Sequence, residues 1–380
     1  MKELLKYRKV LLADAKAMLK LSNENIDKFR LQQIFNLIEI IDQAIESNSD
    51  EDFDHIKDSY DRIQGIAVDN MDDGIASFYS WNMYIENHSR KLQDLYQSTE
   101  RGIHGLDTGL VALDDITYGL PKDHLIVVAG RPSMGKTSLV ANFVQHAGID
   151  LKLPVAVFSL EVGGCEFVNR MICSMTNSSN RKFQDAAMEG DDWCNYASKL
   201  GNAKNAPIFV DDSQGLTVDE IRSRSIKLEK NVGPLSLIIV DNLQLIKSSP
   251  RNGLSDKRFG DFAEISHGLK LLAREMNVPV VVTSQVNRAV EARPNHRPQL
   301  WDLSESGAIE NDADIVLCLY RDEIYNKATS DKDVAEITVA KNRNGPIGTA
   351  RLRFEGQFFR FSNLPETGEL PPSDVMGLVD

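Results

Sequence analysis

No apolar run in the chain approaches the ~18–20 residues needed to cross a bilayer, and no charged-then-apolar leader opens it. Membrane insertion and export are therefore not expected. Cysteine is scarce. Only Cys165, Cys173, Cys194 and Cys318 occur in 380 residues, and no two form a C-x-x-C pair. That spacing argues against structural zinc or a disulfide framework, and for a reducing, cytoplasmic setting. Because no cysteine precedes Cys165, a fused zinc-binding module in the first part of the chain is not expected. Positive charge is also short. Lys and Arg total 43 against 56 Asp and Glu, a net charge of −13. This excludes a protein that coats nucleic acid over its whole surface, though not one that lines a single channel with basic groups. The deficit is sharpest from Glu39 to Asp73, where twelve acids face only Lys57 and Arg62.

What the chain does contain divides near residue 100. Residues 1–66 show helical stripes, with Leu4, Leu5, Val10 to Leu12, Met18 and Leu19 in one and Ile26, Phe29, Ile34, Phe35, Ile38, Ile41 and Ile45 in another. This predicts a small all-α N-terminal domain over 1–66. A further helix is expected over 71–99, with Ile75, Phe78, Trp81, Tyr84, Ile85, Leu92 and Leu95 as its apolar positions, within a connection spanning 67–104. From 105 to 363 apolar strands alternate with helical stretches, the pattern of an α/β domain with a mainly parallel sheet. Strands are expected at 124–129, 154–160, 207–210, 235–241, 278–284, 314–319, 335–341 and 349–354. The tail 364–380 is rich in proline, glycine and acids and reads as disordered.

The most specific signal is Gly130-Arg131-Pro132-Ser133-Met134-Gly135-Lys136-Thr137, followed by Ser138. It matches G-x-x-x-x-G-K-[ST], sits after the apolar run His124 to Ala129, and leads into a helical stretch. A strand, a glycine-bearing turn and a helix start converge backbone N–H groups on one point, where the helix dipole also favours a phosphate. Gly130 and Gly135 are expected to supply backbone freedom and close approach. Lys136 would reach the β- and γ-phosphates, and the Thr137 hydroxyl would ligate Mg²⁺. Leu235 to Asp241 is an apolar strand ending in a carboxylate, the form of a second Mg²⁺-holding position at Asp241. Glu161 ends the neighbouring strand and is placed to orient or deprotonate a water.

These residues carry a resemblance. Gly130–Thr137, Ser159-Leu-Glu161, Ile238 to Leu245, Ser284-Gln-Val-Asn-Arg, Glu305 to Asp314, Leu319 to Tyr325 and Ala340-Lys-Asn-Arg-Asn-Gly-Pro346 occur in the order of the motor domain of DnaB-type replicative helicases. This domain belongs to the RecA-like ATPase class, and the match covers about 105–363. The resemblance implies ATP and Mg²⁺ as cofactors. It also implies a homo-hexameric ring with ATP between neighbours, 5′–3′ movement on single-stranded DNA, and a helicase loader and primase as partners, in the cytoplasm of a bacterial or phage-infected cell. It implies Glu161 as catalytic base, Arg170 near the attacking water, and Gln285 as a γ-phosphate sensor. Lys341 and Arg343 would be given across the interface to the neighbour's nucleotide, and such a cation is worth about 10³–10⁵ in rate. The helix over 71–99 would pack on a neighbouring motor domain.

DNA contact is implied at Ser304, Glu305 and Gly307, where backbone N–H groups can bind phosphates without reading sequence. At Ser304 the family usually has arginine, so one phosphate-neutralising charge is missing. Compensation is expected from Arg288, Arg293, His296 and Arg297, or from Arg251, Lys257 and Arg258. Val162-Gly163-Gly164 also departs from the family and is expected to loosen the helix start after Glu161. Two other readings stay open at this point: a RecA-like recombination or repair ATPase, and a non-unwinding regulatory ATPase that binds a host helicase or loader.

Overall fold

The apolar runs of the central region are continuous rather than alternating, which is what strands covered on both faces require. The computed structural model describes residues 103–248, 258–303 and 307–365, together with ten helical residues between Arg8 and Ser89. The chain divides into two compact units, Met1–Gln97 and Ser98–Asp380. The expected N-terminal helices, the acidic stretch Glu39–Asp73 and the tail beyond Pro365 lie mostly outside the described residues. Of those described, Leu11, Ile38 and Ile41 are buried, whereas Trp81, Tyr84 and Ile85 are exposed.

The second unit is an α/β domain. Its order is α1 (Val111–Thr117), β1 (Leu125–Gly130), α2 (Lys136–Gln145), β2 (Val155–Ser159), α3 (Gly164–Thr176), α4 (Asn180–Gln184) and α5 (Gly190–Ala203). It continues with β3 (Ile208–Asp211), α6 (Val218–Val232), β4 (Leu237–Asp241), α7 (Arg258–Met276), β5 (Val280–Gln285) and α8 (Gly307–Asp312). It closes with β6 (Ile315–Tyr320), α9 (Asp322–Tyr325), β7 (Val334–Asn342), β8 (Gly348–Glu355) and β9 (Arg360–Asn363). The strands form one sheet in the order β3-β2-β4-β5-β1-β6-β7-β8-β9. Pairing is parallel from β3 through β6 and antiparallel from β6 to β9. Strand β9 was not among the expected strands, because Arg360-Phe-Ser-Asn363 alternates too briefly to stand out.

Side chains of β1 alternate between two cores. Ile126 and Val128 point into one with Leu139, Phe143 and Phe167, while Leu125, Val127 and Ala129 point into the other with Ile265, Leu269 and Val282. With β5 on one side and β6 on the other, β1 lies deep in the sheet. Its carboxyl end opens at the edge where parallel α/β sheets bind ligands.

A buried carboxyl fixes the segment leading into β1. Asp114 accepts from the Thr108 hydroxyl at 2.9 Å. It is 4% exposed, and burial pushes its carboxyl up to about 7, with the neighbouring Asp107 adding to the rise. A raised acid pKa stabilises the fold fully below the unfolded value near 3.8, and that contribution is lost as pH rises towards 7. Relative to Asp114→Asn, the wild type is therefore expected to lose stability between about pH 4 and pH 7, by at most about 1.4 kcal/mol per pH unit. Urea unfolding of both proteins across that range checks it; a difference that does not move with pH would refute it.

Candidate active site

Strand β1 ends at Gly130 and helix α2 begins at Lys136, so the turn between them occupies the carboxyl edge of the sheet. Gly135 caps α2 with φ 103°, and a Cβ there would come within 3.1 Å of Phe361 and 3.2 Å of Phe354. Glycine is needed at this position on both counts. Gly130 is different. It is an ordinary strand residue, and a Cβ would meet Leu319 at 3.4 Å, a normal contact. The expected backbone freedom thus resides at Gly135, with Ser133 taking the other left-handed conformation, φ 66°. Met134 is buried and pins the turn from below, Ser138 is buried in the first turn of α2, and Pro132 lies on the exposed side. Arg131 is drawn away by Glu291 at 2.8 Å and the Val286 carbonyl at 3.2 Å. This ties the loop to the segment after β5.

Lys136 Nζ donates to the carbonyls of Gly130 and Arg131 at 2.9 and 3.2 Å. Burial holds its ammonium below the ordinary lysine value, opposed by the negative charges of Asp241 and Glu161. Both carboxylates identified in the sequence therefore act on the loop lysine. The Thr137 hydroxyl donates to Asp241 Oδ2 at 2.7 Å, and Thr283 donates to Asp241 Oδ1. A hydroxyl and a carboxylate at this spacing form a hard-oxygen donor pair that fits Mg²⁺.

Glu161 reaches the cluster through strand register. Ser159 lies opposite Asp241, and the backbone N–H groups of Leu160 and Glu161 donate to the Asp241 carbonyl at 2.6 and 3.1 Å. Its carboxylate accepts from the Asn242 side-chain amide. The Asn242 Oδ1 is buried without a partner, which leaves an acceptor free beside Glu161. The helix start that follows is not loose, contrary to expectation. The N–H of Gly164 donates to Asp212 Oδ2 at 2.9 Å, so an acid beyond β3 holds the N-terminus of α3. Gln285, in register with Gly130, is steadied by Gln244, which accepts from its backbone N–H at 3.4 Å and donates to Ser284 Oγ at 3.0 Å.

Among the described residues, Arg170, Lys341 and Arg343 are paired with groups outside this cluster. Arg170 pairs with Glu166 at 2.7 Å and lies 5.3 Å over the Phe359 ring. Lys341 donates to the Glu310 carbonyl. Arg343 donates to the Asn311 carbonyl and faces Asp314 at 3.7 Å. The Arg343 N–H bonds the Asp314 carbonyl, and the Asp314 N–H bonds that of Leu125. Arg343 thus lies level with the start of β1, roughly 17 Å along the strands from Gly130 at about 3.3 Å per residue. No arginine side chain spans that.

Ser304 and Glu305 lie outside the described residues, as do Arg251 and Lys257; Gly307 opens α8. The expected compensation for Ser304 meets a different arrangement. Arg293 is bound to Asp302 at 2.5 Å. Arg297 is bound to Glu336 at 2.6 Å and lies 4.5 Å over the Tyr320 ring. His296 stacks on Tyr325 at 4.3 Å. Arg293, His296 and Arg297 are committed to internal partners, while Arg288 is exposed.

Sequence reasoning missed four supports: Thr283, Asn242, Gln244 and Arg321. Arg321 donates to the Ser133 carbonyl at 3.2 Å, lies 4.2 Å over Phe354 and pairs with Glu323. Thr283 carried a visible signal, as the polar member of the otherwise apolar run Val280-Val-Val. The others depend on side-chain direction.

The chain is similar to known proteins over the second unit. The family description "DnaB-like helicase C terminal domain" matches residues 105–363. The replicative DNA helicase DnaB of Pasteurella multocida is 45% identical over 281 residues, covering 73% of this chain and 60% of that protein. A solved structure of an isolated ATPase domain superposes with TM-score 0.70 at 32% identity, covering 77% of this chain and 100% of that one. A DnaB-like replicative helicase, described with its interactions with primase, superposes with TM-score 0.69 at 30% identity, covering 88% of this chain and 77% of that one. The chain spans about 60% of the length of the curated relatives it matches. With a mainly parallel sheet, a glycine-bearing turn at the carboxyl end of β1, and this match, the chain belongs to the family of DnaB-like helicase C-terminal domains.

Proposed function

We propose that the chain is the ATP-driven motor of a ring-forming replicative DNA helicase that moves 5′–3′ on single-stranded DNA. The observation that carries this reading is the separation within one copy between the Gly130–Ser138 loop and Lys341 and Arg343. A second copy, placed beside the first, supplies what the first lacks. Residues 105–363 form the motor, 1–66 the N-terminal domain, 67–104 the connection, and 364–380 a tail.

In this reading the N–H groups of the loop and Lys136 hold the phosphates of ATP. Thr137 and Asp241 would hold Mg²⁺, which when bound supplies Lewis-acid charge on the phosphate oxygens. Glu161, oriented by Asn242, takes a proton from the attacking water. Gln285 reports the γ-phosphate, and Arg131 and Gln244 link its strand end to the loop. Arg170 releases Glu166 to approach the water. Lys341 and Arg343 act on the neighbour's nucleotide and make turnover depend on assembly. Ser304, Glu305 and Gly307 face single-stranded DNA. A primase and a loader are the further partners, in a reducing bacterial cytoplasm consistent with the four unpaired cysteines.

The test is ATP-dependent unwinding of a forked duplex with the 5′ and 3′ tails blocked in turn. Unwinding that needs the 5′ tail is expected. Dependence on the 3′ tail would reverse the assigned polarity, and hydrolysis without any unwinding would favour a regulatory ATPase.

A further inference from the structure

An exposed tryptophan stands beside the segment assigned to DNA. Trp301 is 66% exposed, on a short 3₁₀ turn, Leu300–Asp302. The turn is held by its neighbours. Gln299 and Asp302 cap each other across it, and Asp302 is buried and held by Arg293 at 2.5 Å. Leu303 bridges Val286, and the Asn287 N–H donates to the Asp302 carbonyl at 2.7 Å. A large indole is thus presented to solvent from a fixed backbone, one residue from Asp302 and three before Ser304.

Two further observations say what would meet it. The backbone bridge runs from Val286, the residue after Gln285, so the indole is mechanically tied to the end of β5 at the nucleotide cluster. One side of the indole also borders a cleft of about 330 Å³ lined by Pro298, Leu300, Thr338, Ala340 and Glu310. Among the described residues of that wall, Glu310 is the one acidic or basic side chain, and a carboxyl there suits a neutral planar group better than a phosphate. Nearby, Arg293 and Arg297 are occupied by Asp302 and Glu336, so ionic neutralisation from these two is spent.

We propose that Trp301 is a stacking platform for a base of single-stranded DNA, making part of the DNA affinity aromatic where Ser304 provides no charge. The inference rests on the proposed single-stranded DNA reading. Stacking on an aromatic face tolerates any base and releases no counterions.

The test uses the full chain with an oligo-thymidine strand and a non-hydrolysable ATP analogue. The chain has three tryptophans, so the emission specific to Trp301 is the difference between wild type and Trp301→Phe. That emission is expected to be quenched by the strand. Trp301→Ala should bind about 10-fold more weakly at every salt concentration, with an unchanged slope of log affinity against log salt. Trp301→Phe should retain most of the affinity, which separates stacking from failure to fold. A slope reduced by about one would mean a lost ionic contact and overturn the proposal. So would strand binding without quenching, or quenching on assembly before any DNA is added, which would mean that a second copy covers the indole. Failure of the wild type to bind the strand at all would instead overturn the DNA reading itself.

Discussion

Replacing Arg343 with alanine is expected to leave ATP binding near its wild-type level while cutting turnover by about 10³- to 10⁵-fold. The two effects separate because Arg343 lies at the wrong end of the sheet to touch its own loop. Its backbone is level with Leu125, and its side chain reaches Asn311 and Asp314. Removing it does not orphan Asp314, which still accepts from the Leu125 N–H at 2.8 Å and from Lys270 at 2.7 Å. The pair it breaks is half exposed, with Arg343 at 47%, so the fold should lose no more than about 1 kcal/mol. Binding of a fluorescent ATP analogue and steady-state hydrolysis on the assembled protein are the measurements. Turnover within about tenfold of wild type would remove Arg343 from the chemistry and, with it, the reason for requiring a neighbour.

Glu161→Gln is expected to lower turnover by about 10²- to 10⁴-fold, the usual worth of a positioned general base, again with ATP binding retained. Glutamine keeps the shape of the side chain and an oxygen to accept from Asn242, but it cannot take a proton. The residue is exposed and its backbone is fixed by the Asp241 carbonyl, so no packing is lost. Mixing the two variants sharpens both results. At an interface where an Arg343→Ala copy contributes Glu161 and a Glu161→Gln copy contributes Arg343, both groups are intact. Mixed assemblies should therefore recover hydrolysis that neither variant shows alone. Without recovery, the two residues would have to serve the same copy's site, which the sheet does not allow, and the assignment of Arg343 would fall.

Both predictions depend on facts of different origin. The loop Gly130–Ser138 was readable because its function is local. The eight consecutive residues Gly130–Thr137, a preceding apolar strand and a following helix suffice to aim backbone N–H groups at a phosphate. The strands were readable for a similar reason, since β1, β2, β4, β5 and β6 are buried along their whole or nearly whole lengths and open on apolar runs. Strand β9 lacked such a run and was missed. Asp241 and Glu161 were legible as strand-end carboxylates, but the register that brings Ser159 opposite Asp241 was not. Nor was the capture of the α3 N-terminus by Asp212, which reverses the meaning of Gly163 and Gly164. Partners 48 residues apart leave no periodic trace.

By itself, the sequence determined the α/β class, the phosphate loop with its lysine and threonine, and the kinds of residue available for hydrolysis. Each is set by composition, period or contiguous spacing. The tertiary structure decided which of those residues share a site. Thr137, Thr283 and Asp241 meet because β1, β5 and β4 lie near one another in the sheet. Arg321 reaches the loop because β6 flanks β1. Lys341 and Arg343 are kept away because β7 runs antiparallel to β6 and carries them to the opposite end. Strand order and direction are non-local properties of the chain, and the proposed division of the site between two copies rests on them.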